Sequence, residues 1–169
     1  MKKLLIVRHA KSSWEHPELA DFDRPLNSRG QRNCPEMASR LQHRGLKADV
    51  IYASAARRAF ETAKGIAPGL DLSALDIIPQ ENLYHATVDL YTDFVRDLPN
   101  YYQSVVIVGH NPDITDWVNT MCNSQIENIP TLGMALIEFE AEAWENAGPE
   151  QGSLVWYDYP KKPQESNLA

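Results

Sequence analysis

The sequence LLIVRHA, residues 4–10, contains four consecutive apolar residues followed at once by Arg8 and His9. A short unbroken apolar run of this kind is typical of a strand that is covered on both faces. Comparable patterns predict five further strands, at 49–53, 76–79, 104–108, 134–139 and 153–157. Because helical patterns lie between most of these runs, we expect right-handed crossover connections. The sequence therefore predicts a three-layer α/β fold, with one largely parallel sheet and helices on both of its faces.

Four helices are predicted between the strands, and three polar residues are placed to cap helices, namely Ser54, Thr87 and Asn111. The first helix is expected to end near Arg44. Because Pro35 lies inside this helix and cannot donate a backbone hydrogen bond, we expect a break or restart near Asn33. A polar loop of about 20 residues precedes the helix, and loops of that length are often functional.

Length, charge and cysteine usage limit the classes of function. A chain of 169 residues fits a single domain, which we place at 1–160 before a polar tail at 161–169. The net charge of −7 argues against non-specific binding to nucleic acid or to an anionic membrane, and no apolar stretch approaches the ~20 residues that span a bilayer. Cys34 and Cys122 show no metal-ligand spacing and fit a reducing compartment, so we predict a cytoplasmic protein. The sequence leaves the oligomeric state open.

Charged and ionisable residues follow the predicted strands at the point where each strand ends. Arg8 and His9 follow the first strand, Arg58 lies early in the helix after the second, and His110 follows the fourth. Ligands of open α/β sheets bind at the carboxyl ends of the strands. Arginines and helix N-termini bind phosphate oxygens, and imidazole is a competent nucleophile for phosphoryl transfer. The pattern predicts an anion pocket in which two arginines and a protonated histidine replace a metal, so no cofactor is required.

Three motifs carry a resemblance to a known family. LIVRHA at 5–10, SAARRAFETA at 54–63 and VGHNP at 108–112 resemble motifs of the histidine phosphatase superfamily, which has the phosphoglycerate-mutase-like fold. Within it, RHAKSSW at 8–14 and DFDRPLN at 21–27 are similar to the small SixA-type phosphohistidine phosphatases. The resemblance covers most of the chain, and its three motifs each follow a predicted strand.

The resemblance implies catalytic roles for the matching residues. His9 would be the nucleophile and would form a phosphohistidine intermediate that water hydrolyses. Arg8, Arg58 and His110 would hold the phosphoryl oxygens. Arg58 is selected over its neighbour Arg57 because it stands four residues after the serine of the motif.

Further residues are candidates for substrate binding. Arg24 is a candidate phosphate contact, and an ion pair with Asp21 or Asp23 is the alternative. Lys11 and Asn111 are candidate substrate-binding residues because each lies close in sequence to one of the two motif histidines.

Glu81 separates two enzymatic alternatives. Larger relatives in the superfamily use an acidic residue after the third strand as general acid, and Glu81 has a comparable place. A phosphoramidate that arrives protonated needs less help, so a SixA-like enzyme could work without a dedicated acid. We predict a phosphatase whose partner is a phosphorylated protein, most simply one carrying phosphohistidine, or a small phosphorylated compound. The alternatives are a small-molecule phosphomonoesterase or mutase that depends on Glu81, and a phosphate-recognition module without catalysis.

The remaining histidines and the tryptophans receive structural interpretations. His16, His43 and His85 show no metal-ligand spacing and are expected at the surface. All four tryptophans are expected to pack in the fold, at positions Trp14, Trp117, Trp144 and Trp156.

Overall fold

Six strands form one sheet in the computed structural model, which describes residues 1–164. The strands are β1 (Lys2–Arg8), β2 (Val50–Ser54), β3 (Ile77–Gln80), β4 (Ser104–Gly109), β5 (Met134–Phe139) and β6 (Gly152–Asp158). Their order across the sheet is β3-β2-β4-β1-β5-β6. The first four strands of this order are parallel, whereas β5 is antiparallel to β1 and β6 is antiparallel to β5. The predicted largely parallel sheet is confirmed, and every predicted strand is present.

Helices cover both faces of the sheet, as predicted. They are α1 (Ser28–His43), α2 (Arg57–Ile66), α3 (Val88–Arg96) and α4 (Asp113–Cys122). On β1, Leu5 and Val7 pack with α1 and α2, whereas Leu4 and Ile6 point to the other face and pack with α3 and α4. Because β1 is buried from both sides, its sequence is a continuous apolar run rather than an alternating one.

Helix α1 continues through Pro35, so the predicted break near Asn33 is wrong. Its first turn is capped by the side chain of Asn27. Met37 and Leu41 in this helix are fully buried. Proline in a helix costs about 3 kcal/mol, whereas burial of each such apolar side chain contributes roughly 1.5–3 kcal/mol. Packing on the sheet therefore outweighs the local penalty.

Two of the three predicted helix caps are wrong. Thr87 caps α3 as predicted, by accepting a backbone N–H hydrogen bond at 3.1 Å. Ser54 instead ends β2, and α2 begins three residues later at Arg57 without a side-chain cap. The side-chain oxygen of Asn111 accepts from the Thr115 hydroxyl at 2.7 Å rather than from a backbone N–H. The Ser54 hydroxyl contacts a tertiary partner, His110, whereas the Asn111 oxygen is occupied by a side-chain hydroxyl of α4 itself.

The loop between β1 and α1 folds back onto itself and onto the start of α1. Ser12 and Leu26 form an isolated antiparallel bridge, and the Asn27 N–H donates to the Lys11 carbonyl at 3.0 Å. Gly30 is required by this close approach, because a Cβ there would lie 2.2 Å from the Lys11 carbonyl oxygen. The loop is thus held firmly enough to position side chains at the sheet edge.

The tryptophans do not all pack in the core. Trp117 and Trp144 are buried and Trp156 is half-buried, in agreement with the prediction. For Trp14 the prediction is wrong, because this residue is 74% exposed. Its indole ring lies on the guanidinium of Arg24, with 3.3 Å between the guanidinium carbon and the ring centroid. The cation–π contact holds the ring at the surface.

The chain termini and surface residues complete the description. Residues 165–169, which belong to the predicted tail 161–169, lie outside the described residues, and the domain boundary at 160 stays a prediction.

His16, His43 and His85 are exposed, as expected. Within residues 1–164, none of the helices has the length and apolar character needed to cross a membrane. The cytoplasmic location stays a prediction.

Candidate active site

Three neighbouring parallel strands bring the predicted residues to one edge of the sheet. β2, β4 and β1 are adjacent, so their carboxyl ends meet. Arg8 ends β1 and His9 follows it, His110 follows β4, and Arg58 lies in the first turn of α2 after β2. The imidazole centroids of His9 and His110 are 5.2 Å apart. Motifs separated by about 50 residues each are therefore combined in a single site.

One ring nitrogen of His9 is hydrogen-bonded and the other is free. Its Nδ1 lies 2.7 Å from the Ala10 carbonyl oxygen. Since a carbonyl can only accept, Nδ1 carries the proton, and Nε2 of the neutral ring keeps its lone pair. The pKa of His9 is lowered to about 4, mainly by burial and also by the charges of Arg58, Arg8 and Arg24, while the Ala10 hydrogen bond opposes the shift. At neutral pH the ring is therefore a neutral imidazole whose Nε2 can act as a nucleophile.

The buried environment of His9 predicts a pH effect. In the folded protein we expect its ring to titrate near pH 4, against about 6.5 in the urea-unfolded chain. Between these values the unfolded chain binds more protons, so the free energy of unfolding falls as the pH drops from about 6.5 to about 4, by at most about 3 kcal/mol. Above pH 6.5 this group has no effect. An NMR titration of the His9 ring measures the midpoint, and a folded-state value near 6.5 would contradict this account.

His110 is held by Ser54 and is neutral in the free protein. Its Nε2 lies 2.8 Å from the Ser54 hydroxyl oxygen, and Ser54 is fully buried. Burial, then the neighbouring His9 and Arg58, lower the pKa of His110 to about 3. In the unliganded site desolvation and nearby cations disfavour the charge, and the predicted protonated histidine of the phosphate-bound site stays a prediction. A bound phosphoryl dianion would favour the protonated form.

Arg8 and Asn111 share one backbone anchor. An Nη of Arg8 donates to the Ile129 carbonyl at 3.0 Å, and the Asn111 side-chain amide donates to the same oxygen at 2.7 Å. The Asn111 amide also donates to Asn128 at 2.9 Å. The Nε of Arg8 is buried and has no partner within the described part of the chain. This unpaired donor is available to an anion, whereas Asn111 is engaged in holding the 128–129 segment; its role in substrate binding stays a prediction.

Asp21 connects the two other arginines of the site. Arg58 donates to the Asp21 backbone carbonyl at 2.7 Å and to its carboxylate at 3.0 Å. Arg24 donates to the other carboxylate oxygen at 2.9 Å. The Tyr84 hydroxyl also donates to Asp21, and together with Arg24 and Arg58 it holds the pKa of this carboxyl well below its usual range, although partial burial opposes the shift. The ion pair that was the alternative for Arg24 is therefore present, and its partner is Asp21.

Arg24 also lies close enough to His9 for its charge to act on the imidazole. It is buried, its Nε donates to the Ser13 carbonyl and an Nη donates to the Ser12 hydroxyl, and its charge contributes to the lowered pKa of His9. Its proximity to His9 is compatible with a phosphate contact in addition to the ion pair. A role for Arg24 in phosphate binding stays a prediction.

Lys11 and Glu81 lie at the surface near the site. Both are exposed, and within residues 1–164 neither side chain has a hydrogen bond or an ion pair. Tyr84, three residues after Glu81, instead reaches the site, with its ring centroid 5.6 Å from that of His110. The roles predicted for Lys11 and Glu81 stay predictions.

Sequence reasoning missed the functional placement of Tyr84 and Ser54, and it named Asp21 only as an alternative ion-pair partner of Arg24. Asp21 had a usable signal, since a carboxylate three residues before Arg24 is a natural ion-pair partner. Tyr84 had none, because it follows a short 3₁₀ segment, Glu81–Leu83, that shows no periodicity. Ser54 was assigned as a helix cap because serine is a common capping residue and this position lies between a strand and a helix.

The site has an excess of positive charge. Arg8, Arg24 and Arg58 are cations, Asp21 is ionised and both histidines are neutral at pH 7, which leaves a net charge of +2. Within the described residues, no group of three or more His, Cys, Asp or Glu side chains is placed to hold a metal ion. The arrangement suits a doubly charged phosphoryl group.

Comparison with known proteins gives relatives over nearly the whole chain. Residues 4–103 match the model of the histidine phosphatase superfamily, branch 1. The fold is similar to the crystal structure of SixA from Agrobacterium tumefaciens, assigned as a phosphohistidine phosphatase, with a TM-score of 0.80 and 25% identity over 94% of this chain and 98% of that one. The protein histidine phosphatase SixA in complex with tungstate gives a TM-score of 0.79 at 21% identity, over 94% and 97% of the two chains. An uncharacterized protein of Mycobacterium tuberculosis is 27% identical over 92% of this chain and its own full length.

These findings agree with the geometry. The matched 4–103 region contains Arg8, His9 and Arg58, and the structural likeness extends past it to His110. Family match, fold and an arginine-rich pocket around two histidines all indicate phosphoryl hydrolysis. The chain belongs to the histidine phosphatase superfamily and is a phosphatase of its SixA-type branch.

Proposed function

We propose that this phosphatase hydrolyses phosphohistidine on proteins, through a phosphorylated His9 and without a metal ion. The observation that carries the proposal is the state of His9. Its Nδ1 donates to the Ala10 carbonyl, so the Nε2 lone pair is free, and three guanidinium groups lie close enough to lower its pKa. A neutral imidazole nucleophile surrounded by cations suits attack on a phosphoryl dianion.

In the first step, Nε2 of His9 forms a bond to phosphorus, and the bond from phosphorus to the substrate imidazole breaks. The electron pair of that bond leaves with the substrate nitrogen. If the other nitrogen of the substrate ring already carries a proton, the leaving group is a neutral imidazole and no further proton is needed. The bond formed and the bond broken are of the same type, so the step is close to balanced in energy.

In the second step, water attacks phosphorus and the bond to Nε2 breaks, with its electron pair returning to that nitrogen. Phosphate leaves as the monoanion with both protons of the water, and His9 returns to its neutral form. In both steps Arg8 and Arg58 neutralise charge on the equatorial oxygens, and His110 donates to them once phosphate has raised its pKa. Glu81 is not used in this route, in keeping with its exposure.

A quench-flow experiment tests the proposal with two peptides of identical sequence, one carrying phosphohistidine and the other phosphoserine. We expect the phosphohistidine peptide to be hydrolysed at least about 100-fold faster in the presence of chelator, because its leaving group needs no acid. Mass mapping after alkaline quench, which preserves phosphohistidine, should place the label on His9. Label on another residue, loss of activity with chelator, or faster cleavage of the phosphoserine peptide would contradict the proposal, the last favouring a small-molecule phosphomonoesterase.

A further inference from the structure

Asp21 contacts residues from three separate parts of the site. It lies in the loop after β1, and its partners Arg58 and Tyr84 belong to α2 and to the segment after β3. Arg24 comes from the same loop as Asp21. All of these partners are donors, so both carboxylate oxygens and the backbone carbonyl of Asp21 act as acceptors. The carboxylate is thus an anion placed among the groups that would bind phosphate.

This position has two consequences for the arginines. First, Asp21 accepts two hydrogen bonds from Arg58 and one from Arg24, which is also held by Ser12 and Ser13. Both guanidinium planes are therefore fixed before substrate arrives. Second, the carboxylate cancels one of the three positive charges. The remaining net charge of +2 balances the −2 charge of one phosphoryl group. The site can therefore neutralise the group during transfer, and it has no additional cation that would hold the phosphate product more tightly.

We infer that Asp21 is a positioning residue that orients Arg58 and Arg24 and limits the affinity of the site for the phosphate product. The inference rests on the proposed function, since it deepens the account of the same site. Removal of the Asp21 charge should therefore weaken turnover and strengthen phosphate binding at the same time. A residue with a merely structural role would not produce both effects.

Asp21→Asn is the variant that separates these effects. The amide has the size of the carboxylate but offers one acceptor oxygen and one donor group, so one arginine must lose its hydrogen bond to this side chain while the net charge of the site rises to +3. We expect kcat on the phosphohistidine peptide to fall at least about 10-fold, as expected for a misplaced phosphate clamp. We expect the Kd for inorganic phosphate, measured by calorimetry, to fall about 10-fold because a repulsive charge has gone.

Asp23→Asn is the matched control, because it removes the same charge two residues away. Asp23 is exposed, and within residues 1–164 its side chain has no hydrogen bond or ion pair. Both kcat and the Kd for phosphate should stay within twofold of the wild type. If Asp23→Asn tightens phosphate binding as much as Asp21→Asn does, the effect is one of overall charge and the inference is wrong.

Two further measurements keep the test decisive. If Asp21→Asn does not fold, as judged by thermal unfolding, Tyr84→Phe removes one contact to Asp21 without a change of charge; kcat should then fall while the Kd for phosphate stays within twofold. Phosphate binding that weakens in Asp21→Asn, or an unchanged kcat, would overturn the inference. Failure of the proposed function would show separately, as the absence of phosphorylated His9 in the wild type, because calorimetry reads phosphate binding without turnover.

Discussion

Replacement of His9 by asparagine is expected to abolish hydrolysis of the phosphohistidine peptide, with a loss of at least about 10⁴-fold in kcat. The asparagine amide can still donate to the Ala10 carbonyl, as Nδ1 of His9 does at 2.7 Å, so the local backbone contact is kept. What the variant lacks is the Nε2 lone pair. No covalent intermediate should form, and a quench-flow measurement should find no phosphorylated enzyme.

His43→Asn is the matched control for this variant. His43 is an exposed residue at the end of α1, and its Nδ1 also contacts a backbone carbonyl, that of Ser39, at 2.8 Å. The same substitution in the same kind of hydrogen bond, but far from the sheet edge, should leave kcat within twofold of the wild type. Turnover that persists in His9→Asn with a folded protein would show that the reaction does not pass through this ring.

The elements that were predicted correctly are those with a local and physically strong signal. β1 is covered on both faces, so its residues Leu4 and Leu5 are both apolar and the run stands out. Arg8 ends this strand and His9 follows it, and since parallel strands end at one edge, His110 was expected at the same edge. The adjacency of β4 to β1, which places His110 beside His9, was not predicted. The convergence of the site therefore followed from topology and not from any long-range signal in the sequence.

The errors share a physical cause, which is competition from tertiary contacts. Pro35 is tolerated in α1 because the helix is packed on the sheet, and that packing energy is invisible in the local sequence. The Ser54 hydroxyl contacts His110 at 2.8 Å and accepts from the N–H of Ala56, which precedes α2, and not from an N–H of the first helical turn. Trp14 was expected to pack because tryptophan is large and apolar, but a guanidinium at 3.3 Å is an alternative partner that keeps the ring at the surface. In each case the deciding contact involves a residue outside the local segment on which the prediction was based.

Arg58→Met is expected to reduce kcat/KM by about 10³-fold, the second largest effect after loss of the nucleophile. The residue supplies one of the two arginine charges assigned to the phosphoryl oxygens, and two of its five N–H donors are used by Asp21. Arg58→Lys keeps the charge but is expected to lose about 10²-fold. A single ammonium cannot contact the carbonyl and the carboxylate of Asp21 in a fixed plane and also present a fork to phosphate.

Arg57 provides the internal control, because it is adjacent in sequence and carries the same charge. Its side chain is 55% exposed and pairs with Glu61 four residues later, at 2.8 Å, on the surface of α2. Surface pairs of this kind contribute at most about 1 kcal/mol to stability, so Arg57→Met should keep kcat/KM within about twofold, measured on the same peptide under the same conditions. If Arg57→Met and Arg58→Met lose activity equally, the charge at the start of α2 acts through the long-range field alone. A difference of about 10³-fold between two adjacent arginines instead requires the direct contact with the phosphoryl group that the buried position of Arg58 makes available.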